Sequence, residues 1–218
     1  LLHFVRPVCR PQTLGRAVTN GCSEMATALV NGIITLMFNW TMLKYVGEDG
    51  VAAITIISYV LAFAGSLYAG YAYGVAPMLS FYYGEQNHEK LRKLVRTSLK
   101  IIGVIAAATV LVSLAVTEPL VSIFARPGTP VYDLAVAGNR ICSLALLFVG
   151  FNIFASGMFT ALSNGLISAV LAFSRTFVFT LIAMLVLPVI LGVTGIWLAT
   201  PAAELAAVVL KYRRRYCY

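Results

Sequence analysis

The sequence predicts an all-α integral membrane protein with six transmembrane helices, on three observations. Hydrophobic residues make up 60% of the 218 and charged residues only 11%, where a soluble domain is about half apolar and a quarter charged. Mean hydropathy is +0.89. Six apolar stretches each approach the length of about 20 residues that a helix needs to cross a hydrocarbon core, and basic residues collect on alternate connections between them.

The stretches run over 17–46, 51–76, 97–117, 134–161, 166–191 and 195–212. Turn signals separate them: Gly47-Glu48-Asp49-Gly50, Tyr83-Gly84-Glu85-Gln86-Asn87, Pro127-Gly128-Thr129-Pro130, Ser163-Asn164-Gly165 and Gly192-Val193-Thr194-Gly195. Residues 1–16 form an N-terminal flank, 17–212 the six-helix unit and 213–218 a basic tail. The second helix carries Gly65, Gly70 and Gly74, which admit close helix contact, and then Pro77, which bends it. After Gly84 turns the chain, Lys90 to Lys100 form an amphipathic ramp into the third helix, and Tyr82 and Tyr83 suit the interface.

Cytoplasmic loops collect Lys and Arg. Arg6, Arg10 and Arg16, then Lys90, Arg92, Lys93, Arg96 and Lys100, then Lys211, Arg213, Arg214 and Arg215 lie on one side; Lys44, Arg126 and Arg140 lie on the other. This expectation puts both termini in the cytoplasm of a multi-pass protein of the plasma or inner membrane. The net charge of +8 then sets orientation in a lipid bilayer and implies no nucleic-acid partner. The chain opens LLHFVRPVCRPQ and its first methionine is Met25, which reads as a piece of a longer protein.

Several function classes have no support. The four cysteines contain no CxxC pair, so neither a metal site nor a disulfide framework is indicated, and they read as small apolar fillers. His3 and His88 lie outside the spans, no acids cluster, and no GxxxxGK[ST] phosphate loop occurs. The chain is not expected to be an enzyme or to hold a cofactor, and an ATP motor would have to sit elsewhere.

Polar residues inside the bilayer are costly and normally face a cavity or a partner helix. Asn20, Glu24, Thr27, Asn31, Thr35 and Asn39 recur at steps of three and four, which keeps them on one face of the first helix. A face that includes a carboxylate is expected to line a cavity, although interhelical hydrogen bonding would account for Thr27 or Thr35 alone. Glu24 lies roughly 12 Å inside Arg16 at helical rise. Desolvation there favours its protonated form, and when ionised it can hold a cation, so a Na⁺ near Glu24 is possible on chemistry alone. Arg175 on the fifth helix and Glu204 on the sixth reach comparable depth. They are expected to pair structurally, since a lone buried charge is expensive. The fourth helix carries Asn152, Ser156, Thr160 and Ser163 at similar spacing.

Four segments, in order, carry a resemblance: GCSEMATALVNGIITLMFNWTML with GEDGVAAITII; GYAYGVAPMLSFYYGEQNHEKLRKLVR; FVGFNIFASGMFTALSNGLISAVLAFSR; and LPVILGVTGIWLATPAAELAAVVL. Over about residues 15–212 the chain resembles the C-terminal half of the multidrug and toxic compound extrusion (MATE) transporters. The resemblance implies one six-helix lobe of a twelve-helix antiporter. Such a protein exports organic cations, drugs or other amphipathic small molecules in exchange for H⁺ or Na⁺ by alternating access around a midplane cavity. It implies as partner an N-terminal six-helix lobe, in the same longer chain or a second subunit, with residues 1–16 a remnant of the linker between lobes. Glu24 stands where some branches carry a functional acid, and Asn152 stands where those branches use an aspartate. Coupling is therefore assigned to Glu24 and Asn152, cavity lining to Asn20, Thr27, Asn31, Thr35, Asn39 and Ser156, and structural roles to Pro77, Gly84, Arg175 and Glu204. The alternative is a lipid-linked oligosaccharide or polysaccharide flippase, whose pyrophosphate ligand would want more cations than Arg140 and Arg175.

Overall fold

The computed structural model describes residues 11–162, 170 and 172–214; within these, the side chains of 12–28 and 210–214 lie outside the description. Helix α1 spans Pro11–Tyr45 and α2 Glu48–Gly84. Helix α3 spans His88–Phe124. The fourth pass is broken: α4 (Pro130–Cys142) leads through a 3₁₀ turn at Ser143–Ala145 into α5 (Leu146–Ala161). A π-helical turn, Ser174–Phe179, opens α6 (Thr180–Leu191), and α7 spans Val193–Arg214. Among the described residues, α2, α3, the α4–α5 pass and Ser174–Leu191 are long and apolar enough to cross a membrane, while α7 carries a shorter apolar stretch over Val193–Val209.

Helices outrun the apolar stretches because polar residues cap them. Asn87 is the N-cap of α3, its side chain accepting the Lys90 N–H at 3.1 Å, so the basic ramp is the first turns of α3 itself. Thr129 likewise caps α4, with Pro130 at the first helical position, where its missing N–H costs nothing. Pro11 starts α1 six residues before the apolar stretch, and α2 runs on through Pro77 to end at Gly84.

Helix α2 is central, packing against α1, α3, α4 and α5, and α6 and α7 form a tight antiparallel pair that α1 and α4 join. The core is layered along the expected membrane normal. At the end near the α1–α2 loop, Met42, Ile57, Val121, Ala135, Cys142, Ile196 and Trp197 form one buried cluster; toward the α2–α3 loop Ala72, Leu79, Ile102 and Phe154 form another. Backbones approach closely at Gly138, where a Cβ would meet Ile57 at 2.7 Å and Trp197 at 2.9 Å, and at Gly150, where it would meet the Tyr68 ring at 2.8 Å. The sequence placed that role on Gly65, Gly70 and Gly74. None of these has a neighbour within 4 Å of a would-be Cβ, because they lie beside or opposite the face of α2 that buries Ala64, Tyr68 and Ala72.

Candidate functional site

Where α4 gives way to α5, Ser143 donates from Oγ to the Asn139 carbonyl at 2.7 Å, a back-bond of the kind that bends helices. Past this turn α5 places Asn152 fully buried, facing α7. The Asn152 amide donates to the Glu204 carbonyl at 3.0 Å and to Glu204 Oε2 at 2.6 Å. Its two acceptors fix the amide orientation, since turning it over would set oxygen against oxygen.

Glu204 reaches this position on a helix already modified by Pro201. Proline supplies no N–H, so the carbonyl four residues earlier, that of Trp197, has no helical donor. Cys142 Sγ lies 3.4 Å from that carbonyl and donates to it, which ties α4 to α7 about two turns before Glu204. The filler role expected of Cys142 holds, and the thiol also satisfies this freed group.

Arg175 comes from the π turn. A π turn widens the helix and frees backbone groups, and Thr180 Oγ1 takes up the Arg175 carbonyl at 3.3 Å. The guanidinium Nε lies 3.7 Å from Glu204 Oε1, with the side chains 20% and 14% exposed. The expected pair is therefore present. It is loose: Nε and Nη1 of Arg175 are buried and make no hydrogen bond. Asn152, assigned to coupling, and Arg175 and Glu204, assigned to structure, thus form one cluster spanning α5, the π turn and α7.

The remaining site residues disperse. The side chains of Asn20, Glu24 and Thr27 lie outside the described residues, although the backbone there is helical. Asn31 and Thr35 are exposed, Thr35 Oγ1 donating to the Asn31 carbonyl at 2.9 Å. Asn39 is half-buried beside Trp40 and Tyr59 in an open groove of about 760 Å³ between α1 and α2. Ser156 is half-buried on α5, its carbonyl accepting from Thr160 Oγ1 at 3.2 Å. Arg140 on α4 is paired with Glu118 on α3, at 2.8 Å, both side chains more than half exposed.

A second polar cluster went unread in the sequence. Asn139, 1% exposed, donates to Thr117 Oγ1 at 2.9 Å, and Ser113 Oγ lies 2.7 Å from Ser143 Oγ. Its signal was available: Ser113 with Thr117 and Asn139 with Ser143 are both i, i+4 pairs, so two facing helices each carried a polar stripe.

A family model described as MatE matches residues 25–186. The chain belongs to the MatE family. It is therefore a multi-pass membrane protein of a family of transporters rather than enzymes. Its fold is similar to that of an inward-facing MATE family multidrug resistance transporter of the MOP superfamily, with a TM-score of 0.83 at 21% identity over 93% of this chain and 47% of that one. An outward-facing transporter of the same description gives 0.80 at 22% identity over 87% and 43%. A mutant of the Vibrio cholerae MATE transporter VcmN gives 0.82 at 20% identity over 94% and 47%. The MatE chain spans less than half the length of each. No curated protein matches its sequence.

Proposed function

We propose that the MatE chain is one lobe of a secondary active antiporter that exports organic cations, drugs or other amphipathic small molecules in exchange for H⁺ or Na⁺. The observation that carries this reading is the Asn152–Glu204–Arg175 cluster. An ionisable group held at mid-helix depth is expensive, and inside a transporter such groups mark ion and proton paths. Similarity of the fold to both inward- and outward-facing structures supports a lobe that keeps its packing while access alternates. The remaining wall of the cavity is supplied by an N-terminal six-helix lobe, in the same chain or as a second subunit. The protein sits in the plasma or inner membrane with both termini cytoplasmic.

Glu24 remains the acid assigned to coupling on α1, with Asn20, Thr27, Asn31, Thr35, Asn39 and Ser156 toward the substrate path. The flippase reading gains nothing: Arg140 is tied to Glu118 at the surface, which leaves Arg175 as the described cation at mid-helix, too few for a pyrophosphate. The test is efflux of ethidium from cells producing the native assembly. Glu24→Gln is expected to lower ion-driven efflux by about tenfold with membrane insertion unchanged. Undiminished efflux across a range of pH and Na⁺ would remove Glu24 from coupling.

A further inference from the structure

We infer that Glu204 is a proton acceptor of this lobe beside Glu24, that Arg175 is the counter-charge which its protonation releases, and that the coupling ion taken up at Glu204 is H⁺ rather than Na⁺. This rests on the antiporter reading and deepens it by naming the group and the ion.

The surroundings of the carboxylate decide which ion it can take. Oε2 accepts the Asn152 amide at 2.6 Å, and Oε1 faces the Arg175 Nε at 3.7 Å. Hard metal cations are held by shells of oxygen ligands. Here both neighbours of the carboxylate present N–H groups, which would point their positive ends at any Na⁺ placed between them. A proton needs one lone pair and no shell.

Occupancy of Oε2 by Asn152 directs the proton to Oε1. The new O–H then opposes the Arg175 N–H across the gap, donor against donor, and the carboxylate charge that offset the guanidinium is gone. No bond besides the O–H forms, and the proton comes from water in the cavity. An uncompensated guanidinium at this depth is strongly unfavourable, so protonation penalises the present packing and favours one in which Arg175 reaches another acceptor or solvent.

Arg175 is placed for such a change. Its Nε and Nη1 are already buried without partners, so leaving Glu204 forfeits an attraction but no hydrogen bond. It rides on a π turn, a local insertion that can shift register more readily than a regular helix. From the elements packed on α7, the other charged side chains are Asp133 and Arg140 toward the outer end of α4, and Arg16, Glu24 and Lys44 on α1. Among the described side chains, those that meet Glu204 are Asn152 and Arg175.

The test uses the native assembly reconstituted in vesicles with ethidium as the probe. Accumulation is driven first by a pH step without Na⁺ and then by a Na⁺ step at constant pH. The wild type is expected to respond to the pH step. Glu204→Gln is expected to lose pH-driven accumulation by about tenfold or more and to flatten what dependence on pH remains. A merely structural role would lower accumulation equally at every pH. Glu204→Asp, which keeps a titrating group, is expected to recover a pH-driven response. Retained pH-driven accumulation in inserted Glu204→Gln protein overturns the proposal. So does a wild type driven by the Na⁺ step alone, a result that stands even where the variants fail to fold and that leaves the antiporter reading intact. A wild type that moves ethidium under neither gradient overturns the antiporter reading and this inference with it.

Discussion

Asn139 and Glu118 both make polar contacts between α3 and α4, yet replacing them should have unequal effects. Asn139→Leu leaves Thr117 Oγ1 without its buried donor and is expected to cost about 1–3 kcal/mol. Glu118→Gln weakens a pair whose side chains are 56% and 62% exposed, and the expected cost stays below about 1 kcal/mol. Thermal melting of the detergent-solubilised native assembly compares the two directly. The same contrast explains what could be read at this scale. Pairing of Arg175 with Glu204 was legible, because depth along two neighbouring helices and the expense of a lone charge suffice to predict it. The bond from Asn152 to Glu204 was not. Spacing within α5 tells which residues share a face, but which neighbour that face meets depends on helix rotation and on the 3₁₀ break at Ser143–Ala145, and neither leaves a mark in hydropathy.

At the scale of elements, the α6–α7 pair turns on glycine. Gly192, with φ 60° and ψ −137°, occupies a region that side chains rarely adopt, and a Cβ on Gly195 would collide with the Leu187 carbonyl. Backbone cannot move aside as a side-chain tip can, so Gly195→Ala is expected to destabilise by at least about 1–3 kcal/mol. Gly70→Ala, with open space at its Cβ position, is expected to stay within about 0.5 kcal/mol. Melting the two variants side by side checks both values. Sequence patterning located the passes among the described residues but set the ends of α2 and α3 too short. Apolar windows stop at the first charges, whereas helices stop where a cap such as Asn87 or Thr129 satisfies the free N–H groups. Glycines were similarly legible as packing residues in kind and not in place: contacts formed at Gly138 and Gly150, and Gly65, Gly70 and Gly74 lie uncovered.

For the whole molecule, charge predicts an orientation. In a background whose four cysteines are replaced by alanine, Glu85→Cys in the loop before α3 should react with an impermeant maleimide only from the cytoplasmic side. Arg126→Cys, in the loop before α4, should react only from outside. The reverse labelling would invert the topology. The chain's two tryptophans are also differently placed: Trp40 is 70% exposed and Trp197 only 3%, with Gly138 pressed against its indole and the Cys142 thiol on its carbonyl. Replacing Trp40 by Phe would therefore leave Trp197, inside the α4–α7 seam, as the remaining tryptophan of these 218 residues. Its fluorescence should be blue-shifted and shielded from acrylamide while the seam is closed, and should redden and quench when the seam parts. The fold thus carries its own optical gauge of whether α7 stays docked against α4.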